Sequence, residues 1–589
     1  MSEPKASHSA SPPKSATTST VPGTAQTYPS NNNVHGRLGK APKSAQKTGP
    51  AASPPGPKDT FREIVETVVF VVVLVLLLKS FVAEAFVIPT GSMAETLYGY
   101  QKIVTCPKCH EVFPVNCSCE VDPQQAPNTD VVGCTCPNCR YEINFEREGM
   151  KPPWHTGDRV LVAKSVYDLK LLPGDKPKRR DVVVFKYPRE PQRAFTPMNY
   201  IKRLIGLPGE TVAIYYGKIY VYDGLQYDDS NVDPLNLWEL RYTHQDDSQA
   251  LDLFHKGKFR MVRKSPSEML AVRRKVYDND HQAIDLIGKV PPRWAANGTS
   301  WQPDKPDEPK RFEHSAQDDK EVAWLRYHHL IPDAGPDRTT YHPELITDFM
   351  GYNTWRPARG PHGTPPQNWV GDLLLEADVD VQQAQGELIF ELSKGVDQFR
   401  ARWDLATGRC ALSRVSNDQE ALLEEAETGL KKAGHYRLRL ANIDERLTVW
   451  VDSSLPFGEG VVYEPPLRRG PTVENDLQPA GIGVKGAGVT VSHLKLWRDT
   501  YYTVHIDTQQ ADAPNVRFDN PEDWKNALSD LPVSTMYVQP GHYLCLGDNS
   551  PESSDGRSWG LVPERLLLGR AMVIYYPFWP ISPRAGLIR

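Results

Sequence analysis

The sequence predicts a mainly β protein on one N-terminal transmembrane helix. Its soluble part reads as an antiparallel β domain carrying two insertions, a small zinc ribbon and a β-sandwich. Three observations predict this. Residues 62–82 hold the run VVFVVVLVLLL, close to the ~20 helical residues that a bilayer core requires. Apolar and polar residues alternate in many short stretches separated by Gly and Pro turns, as strands with one buried face do. Two Cys-Pro-x-Cys pairs, Cys106/Cys109 and Cys136/Cys139, flank a 26-residue loop.

Residues 1–58 are rich in Ser, Pro, Thr, Ala and Lys. They carry too little apolar surface to offset ordering entropy, which predicts a disordered tail. The tail is basic, so the positive-inside rule keeps it cytoplasmic and sends everything after residue 82 to the exoplasmic side. The span lies deep in the chain and no small-residue cleavage site follows it, which argues for an anchor rather than a removed signal. Strand-like stretches in residues 83–101, 146–222 and 535–589 compose the first β domain. Residues 102–145 form the ribbon and residues 223–340 an irregular insert. Residues 341–505 form the sandwich, with a pattern like laminin-G or concanavalin domains, and residues 506–534 a linker. Trp403, Trp450 and Trp497 read as core rather than sugar-stacking residues. Tyr575, Tyr576, Phe578 and Trp579 make a final aromatic run suited either to a bilayer interface or to an ordinary strand end.

The candidate chemistry starts at Ser92, in a Thr-Gly-Ser-Met turn just past the apolar run. A serine needs a base to attack at neutral pH. None of the 16 histidines lies in a compact motif pairing with it. The alternative base is a lysine whose pKa burial lowers toward 7–8. Lys202 sits in the apolar stretch Tyr200-Ile201-Lys202-Arg203-Leu204-Ile205, where alternation places it with Tyr200 and Leu204 and puts Arg203 on the other face. A polar loop at residues 547–557 follows an apolar strand. Within it Asp555 and Arg557 can pair, and a nearby hydroxyl could orient a neutral lysine.

In this order, residues 62–97, 157–164, 181–188 with 200–210, and 547–563 resemble the motifs of bacterial type I signal peptidase. The resemblance implies a membrane-anchored serine endopeptidase that cleaves signal peptides from exported preproteins, with no cofactor for catalysis. Ser92 would be the nucleophile and Lys202 the base. The Ser92 N–H and the Thr90 hydroxyl would hold the oxyanion. Ser553 would orient Lys202, and Asp548, Asn549, Asp555 and Arg557 would support the site. The chain departs from the family's pattern at Glu95, where Pro is usual, at Ser550-Pro551, where Arg-Asp is common, and at Gly556, where Ser is common.

Cys106, Cys109, Cys136 and Cys139 match the spacing of a four-thiolate structural zinc site. Disulfides are the rival, favoured by an exoplasmic location. Cys117, Cys119 and Cys134 remain over; with His110 they could form a second site, or Cys117 or Cys119 could bridge to Cys134. The formal net charge of −5 argues against nucleic acid as a partner. Expected partners are preproteins, membrane lipid and a carbohydrate or envelope-protein ligand of the sandwich. Two other readings stay open, an inert membrane-anchored envelope binding protein and a regulatory Ser/Lys protease.

Overall fold

Strands in this chain follow the alternation of its sequence, and their pairing is largely long-range. The computed structural model describes residues 60–77, 79, 83–122, 129–164, 167, 176–188, 198–227, 244–316, 321–333, 338–358, 367–465, 470–505, 510–513, 516–577 and 584–588. They fall into two units, residues 1–69 and residues 70–589. The tail, residues 1–58, and the aromatic positions Phe578 and Trp579 lie outside the described residues.

The first helix is Thr60–Leu77, 18 residues long. Its apolar positions 68–77 are all exposed, between 42% and 66%. The sequence predicts a span over residues 62–82, of which the structure describes 62–77 and 79. No helix among the described residues is long and apolar enough to cross a membrane. Arg62, Glu63 and Glu66 occupy the first turns of the helix, and residues 78 and 80–82 lie outside the described part.

In the second unit, one sheet runs in the order Ala83–Val87, Arg159–Ala163, Leu567–Tyr576, Val182–Lys186, Asn199–Gly206, His542–Leu546, Val562–Pro563, with Gly586–Leu587 added to Leu567–Tyr576. These strands come from the three stretches assigned to the first β domain. A four-stranded sheet packs Thr211–Tyr215 between Lys218–Tyr222 and Val533–Tyr537, with Arg260–Met261 outermost. Strand Val533–Tyr537 starts inside the expected linker, which also contains the short helical turns Pro521–Asp523, Trp524–Ala527 and Leu528–Asp530.

The large insert is a sandwich of an eight-stranded and a seven-stranded sheet. Their inner faces share one core that includes Leu375, Val449 and Leu496 from one sheet and Phe390, Trp403 and Ile482 from the other. The stretch 223–340 is not the irregular insert expected. Arg274–Asp278, Trp301–Pro303 and Arg311–His314 join one sandwich sheet, and Trp294–Ala296 and Ala323–Tyr327 join the other. These strands are three to five residues long. They are too short to show a period and are recognisable only through partners such as Val489–Arg498. Trp403 and Trp450 are core residues, and Trp497 is half-buried.

In the cysteine segment, two hairpins, Gln101–Thr105 with Val112–Asn116 and Val131–Thr135 with Glu142–Asn144, each end in a Cys-Pro-x-Cys turn. The residue after each turn, His110 and Arg140, takes positive φ, 58° and 61°. Each hairpin also gains a strand from outside residues 102–145, Trp154–His155 for the first and Arg356–Pro357 for the second.

A buried charge network joins the four-stranded sheet to the sandwich. Asp372 pairs with Lys218 at 2.8 Å and with Lys394. Lys264 pairs with Asp444 at 3.0 Å and Asp499 at 2.6 Å. The three carboxylates lie close enough to hold a cation, but three ammonium groups already neutralise them. Burial opposes ionisation of Asp372, yet Lys218 and Lys394 outweigh it and hold the carboxyl well below its usual range. The stabilisation this implies is complete above the unfolded carboxyl value of about 3.9 and is lost as pH falls toward the lower folded value. Asp372→Ala leaves two buried ammonium groups short of a counter-charge. Urea unfolding at neutral pH should show a loss of about 3–5 kcal/mol; a loss under about 1 kcal/mol would show that the network contributes no net stability.

Candidate active site

The site lies where three pieces of chain meet, and the sheet order brings two of them together. Asn199–Gly206 pairs on one side with Val182–Lys186, placing Lys202 opposite Val183, and on the other with His542–Leu546, placing Arg203 opposite Leu546. The polar loop from Gly547 therefore leaves the sheet beside Lys202. The third piece follows the edge strand Ala83–Val87, which pairs with Arg159–Ala163. Beyond that strand Gly91–Met93 form a single 3-10 turn, all three residues buried.

Lys202 Nζ donates to Ser92 Oγ at 2.6 Å and to the Ile201 carbonyl at 3.1 Å. Both side chains are buried, with exposures of 3% for Lys202 and 8% for Ser92. Burial is the largest influence on the Lys202 ammonium and disfavours its charge. Asp555, Cys545 and Asp548 pull the other way, and the balance leaves its pKa lowered to about 8. At neutral pH a useful fraction of Lys202 is thus uncharged, with a lone pair facing a hydroxyl.

The loop supports this pair through two buried ion pairs. Arg203 grips Asp548 with two bonds of 2.7 Å, and Thr96 Oγ1 donates to the same carboxylate at 2.6 Å. Arg557 pairs with Asp555 at 2.9 and 2.8 Å, and Asp555 accepts from the Gly547 N–H at 3.0 Å. Arg557 also donates to Ser550 and Thr503. Burial alone would raise both carboxyls, but the two guanidiniums hold them below the usual range. The loop is thereby pinned at both ends. Asn549 sits against the Ser92 turn, its N–H donating to the Ser92 carbonyl at 3.1 Å and its Nδ2 to the Gly91 carbonyl at 3.0 Å. Gly547 is required by close approach: a Cβ there would lie 2.5 Å from the Ser92 carbonyl oxygen and 2.1 Å from Ser553 Oγ.

The predicted residues mostly converge. Ser92 and Lys202 are joined directly, Asp555 and Arg557 pair as expected, and Asn549 bonds to the Ser92 turn. Thr90 caps the 3-10 turn without a side-chain capping bond. Thr90 directly precedes this turn, whose first N–H groups lack an intrahelical acceptor. The expected bond from Ser553 to Lys202 is not made. The Ser553 hydroxyl is buried with no hydrogen-bond partner among the described residues, because it packs against the Gly547 backbone instead.

Sequence reasoning missed Arg203 as a site residue. Its signal was present, since two consecutive basic residues inside one apolar strand imply a buried partner on each face. It also missed Arg274, Tyr352 and Asn353, which reach this loop or the Ser92 turn from the large insert and carry no local motif.

In the cysteine segment, the Sγ atoms of Cys106, Cys109, Cys136 and Cys139 lie within 4.8 Å of one another. Cys106 and Cys139 are 3.7 Å apart, and Cys109 and Cys136 3.5 Å. A tetrahedron with Zn–S bonds of about 2.3 Å has edges of about 3.8 Å, so the thiols fit such an ion. All nine cysteines are free. No bridge therefore joins Cys117 or Cys119 to Cys134, and no metal-holding group among the described residues includes these three or His110.

Residues 140–267 and 482–576 match the family described as signal peptidase, peptidase S26. These segments are similar to that family. The matched residues include Lys202 and the loop from Gly547, and they begin after Ser92. Signal peptidase I of Pseudomonas aeruginosa is 47% identical over 70 residues, covering 11% of this chain and 23% of that protein. A probable signal peptidase I-2 of Synechocystis is 51% identical over 51 residues, covering 9% of this chain and 22% of its own length. The chain thus spans about a quarter of the length of the curated relatives it matches. Among solved structures, the carbohydrate-binding module CBM66 from Bacillus subtilis aligns with 35% of this chain and 94% of its own at 10% identity. Its TM-score of 0.22 is too low to argue from.

Proposed function

We propose that the protein is a membrane-bound serine endopeptidase that removes signal peptides from exported preproteins with a Ser92/Lys202 dyad. The observation that carries the reading is the buried 2.6 Å bond between Lys202 Nζ and Ser92 Oγ, in segments similar to signal peptidases. In this scheme neutral Lys202 takes the Ser92 proton as Oγ bonds to the scissile carbonyl carbon. Negative charge develops on the carbonyl oxygen beside the Ser92 N–H and the Thr90 hydroxyl. Collapse breaks the peptide C–N bond, and the Lys202 ammonium returns its proton to the leaving amine. Water, deprotonated by the same lysine, then hydrolyses the acyl-enzyme and frees Ser92. No cofactor enters these steps.

We place the catalytic domain at the outer face of the cytoplasmic membrane, with the basic tail inside. The exposed apolar positions 68–77 support an anchor at the N-terminus, with lipid as a partner. The four-thiol cluster reads as a structural zinc site of Cys106, Cys109, Cys136 and Cys139. Four sulfur ligands leave no open position for catalysis. A carbohydrate or envelope-protein ligand of the sandwich would be held by groups other than Trp403 and Trp450, which are core.

In detergent, the full chain should cleave a preprotein at its signal-peptide junction. Ser92→Ala and Lys202→Ala should each lower kcat by at least about a thousandfold, the scale of losing one member of such a unit. Undiminished cleavage in either variant would remove the dyad.

Metal analysis of the purified chain should find one zinc per molecule, and Cys136→Ser should abolish it. A wild-type protein without zinc but with oxidised cysteine pairs would replace the zinc assignment with disulfides.

A further inference from the structure

The large insert does more than hang from the catalytic domain, since one short segment of it is built into the nucleophile turn. This segment is the single 3-10 turn Gly351–Asn353 and the residue after it, Thr354. Each of the four residues has a separate contact. Gly351 packs on Pro137 of the second cysteine turn; a Cβ at 351 would lie 2.9 Å from the Pro137 ring. Tyr352 lies on Gly91, where a Cβ would meet its ring carbon at 2.4 Å, and it stacks near Tyr98 with ring centroids 5.1 Å apart. Asn353 pairs reciprocally with Asn549: its Nδ2 donates to Asn549 Oδ1 at 2.7 Å, and Asn549 Nδ2 donates back at 2.8 Å. Thr354 Oγ1 accepts from the Thr135 N–H at 2.8 Å.

The amide pair is determined by its surroundings. The Gly91 carbonyl accepts from Asn549 Nδ2 at 3.0 Å, so the amide group of Asn549 must face it with nitrogen. Its oxygen then faces Asn353 and needs a donor, which Asn353 Nδ2 supplies. Both side chains are buried, at 3% and 0% exposure, so water cannot substitute on either side. Removing the Asn353 amide leaves Asn549 Oδ1 buried and unpaired. Asn549 then loses the bond that sets its orientation toward Gly91, one residue before the nucleophile. A second insert residue, Arg274, buttresses the same turn by donating to the Ala94 carbonyl at 3.1 Å.

We propose that Asn353 is a positioning residue for Ser92. Acting through Asn549, with Tyr352 packed on Gly91, it makes the insert an obligatory part of the catalytic apparatus, and Gly351 and Thr354 tie that clamp to the second cysteine turn. The proposal rests on Ser92 being the nucleophile, and the test separates the two claims.

The test uses the full chain in detergent with Asn353→Ala, Asn353→Asp and Tyr352→Ala. Each is measured for preprotein cleavage across pH and for hydrogen exchange in residues 90–97 and 547–552. Asn353→Ala should lower kcat roughly ten- to hundredfold, the cost of a slight misplacement of a reacting group, with KM within about twofold. The acid limb of the rate profile should stay where wild type has it, since Lys202 is untouched. Exchange in residues 90–97 should quicken while exchange in sandwich strands stays unchanged. Asn353→Asp replaces the donor with a buried carboxylate oxygen facing Asn549 Oδ1, so it should be no more active than Asn353→Ala. Tyr352→Ala should also lower kcat. A kcat within twofold of wild type in Asn353→Ala, or unchanged exchange in residues 90–97, would overturn the proposal. If the wild-type chain cleaves no preprotein, the proposed function fails, and the exchange measurement still decides whether Asn353 holds the turn.

Discussion

The structure depends on keeping one lysine out of water. In the proposed dyad Lys202 would serve Ser92 only when uncharged, and burial is what lowers its pKa toward neutral. The central strand Asn199–Gly206 provides the burial, with partners on both sides and aromatic neighbours at Phe185, Tyr187, Tyr200 and Trp559. The loop after Gly547 provides a counterweight. Its carboxylates Asp548 and Asp555 would stabilise the lysine's charge, but each is committed to a guanidinium, Arg203 and Arg557. The local field around Lys202 is therefore close to balanced, and desolvation decides the outcome.

Much of this was legible in the sequence, and the reasons differ by residue. Ser92 could be found because it follows an apolar run in a small-residue turn. Lys202 could be found because a basic residue inside an apolar strand is costly without a purpose. Asp555 and Arg557 are two residues apart, so their pairing is local. The four ribbon cysteines could be grouped because their spacing is itself a ligand geometry. Apart from the 26-residue loop between the two cysteine pairs, each of these signals is local in the sequence.

What escaped was non-local. Strands such as Trp294–Ala296 and Trp301–Pro303 exist only because longer strands far along the chain offer them an edge. The irregular insert expected at 223–340 is for that reason largely sandwich. Asn353 reaches Asn549 across 196 positions, and no pattern in either stretch announces it. Ser553 shows the opposite failure. Its place in a familiar motif suggested a bond to Lys202, but its hydroxyl packs on Gly547 and has no hydrogen-bond partner among the described residues.

The most direct test of the account is the titration of Lys202 itself, followed by NMR in protein carrying 13Cε-labelled lysine, with the signal assigned through Lys202→Arg. A midpoint near 8, more than two pH units below the ordinary lysine value of about 10.4, is the result this account predicts. A midpoint near the ordinary lysine value of about 10.4 would mean that Lys202 is charged at neutral pH and cannot serve Ser92 as a base.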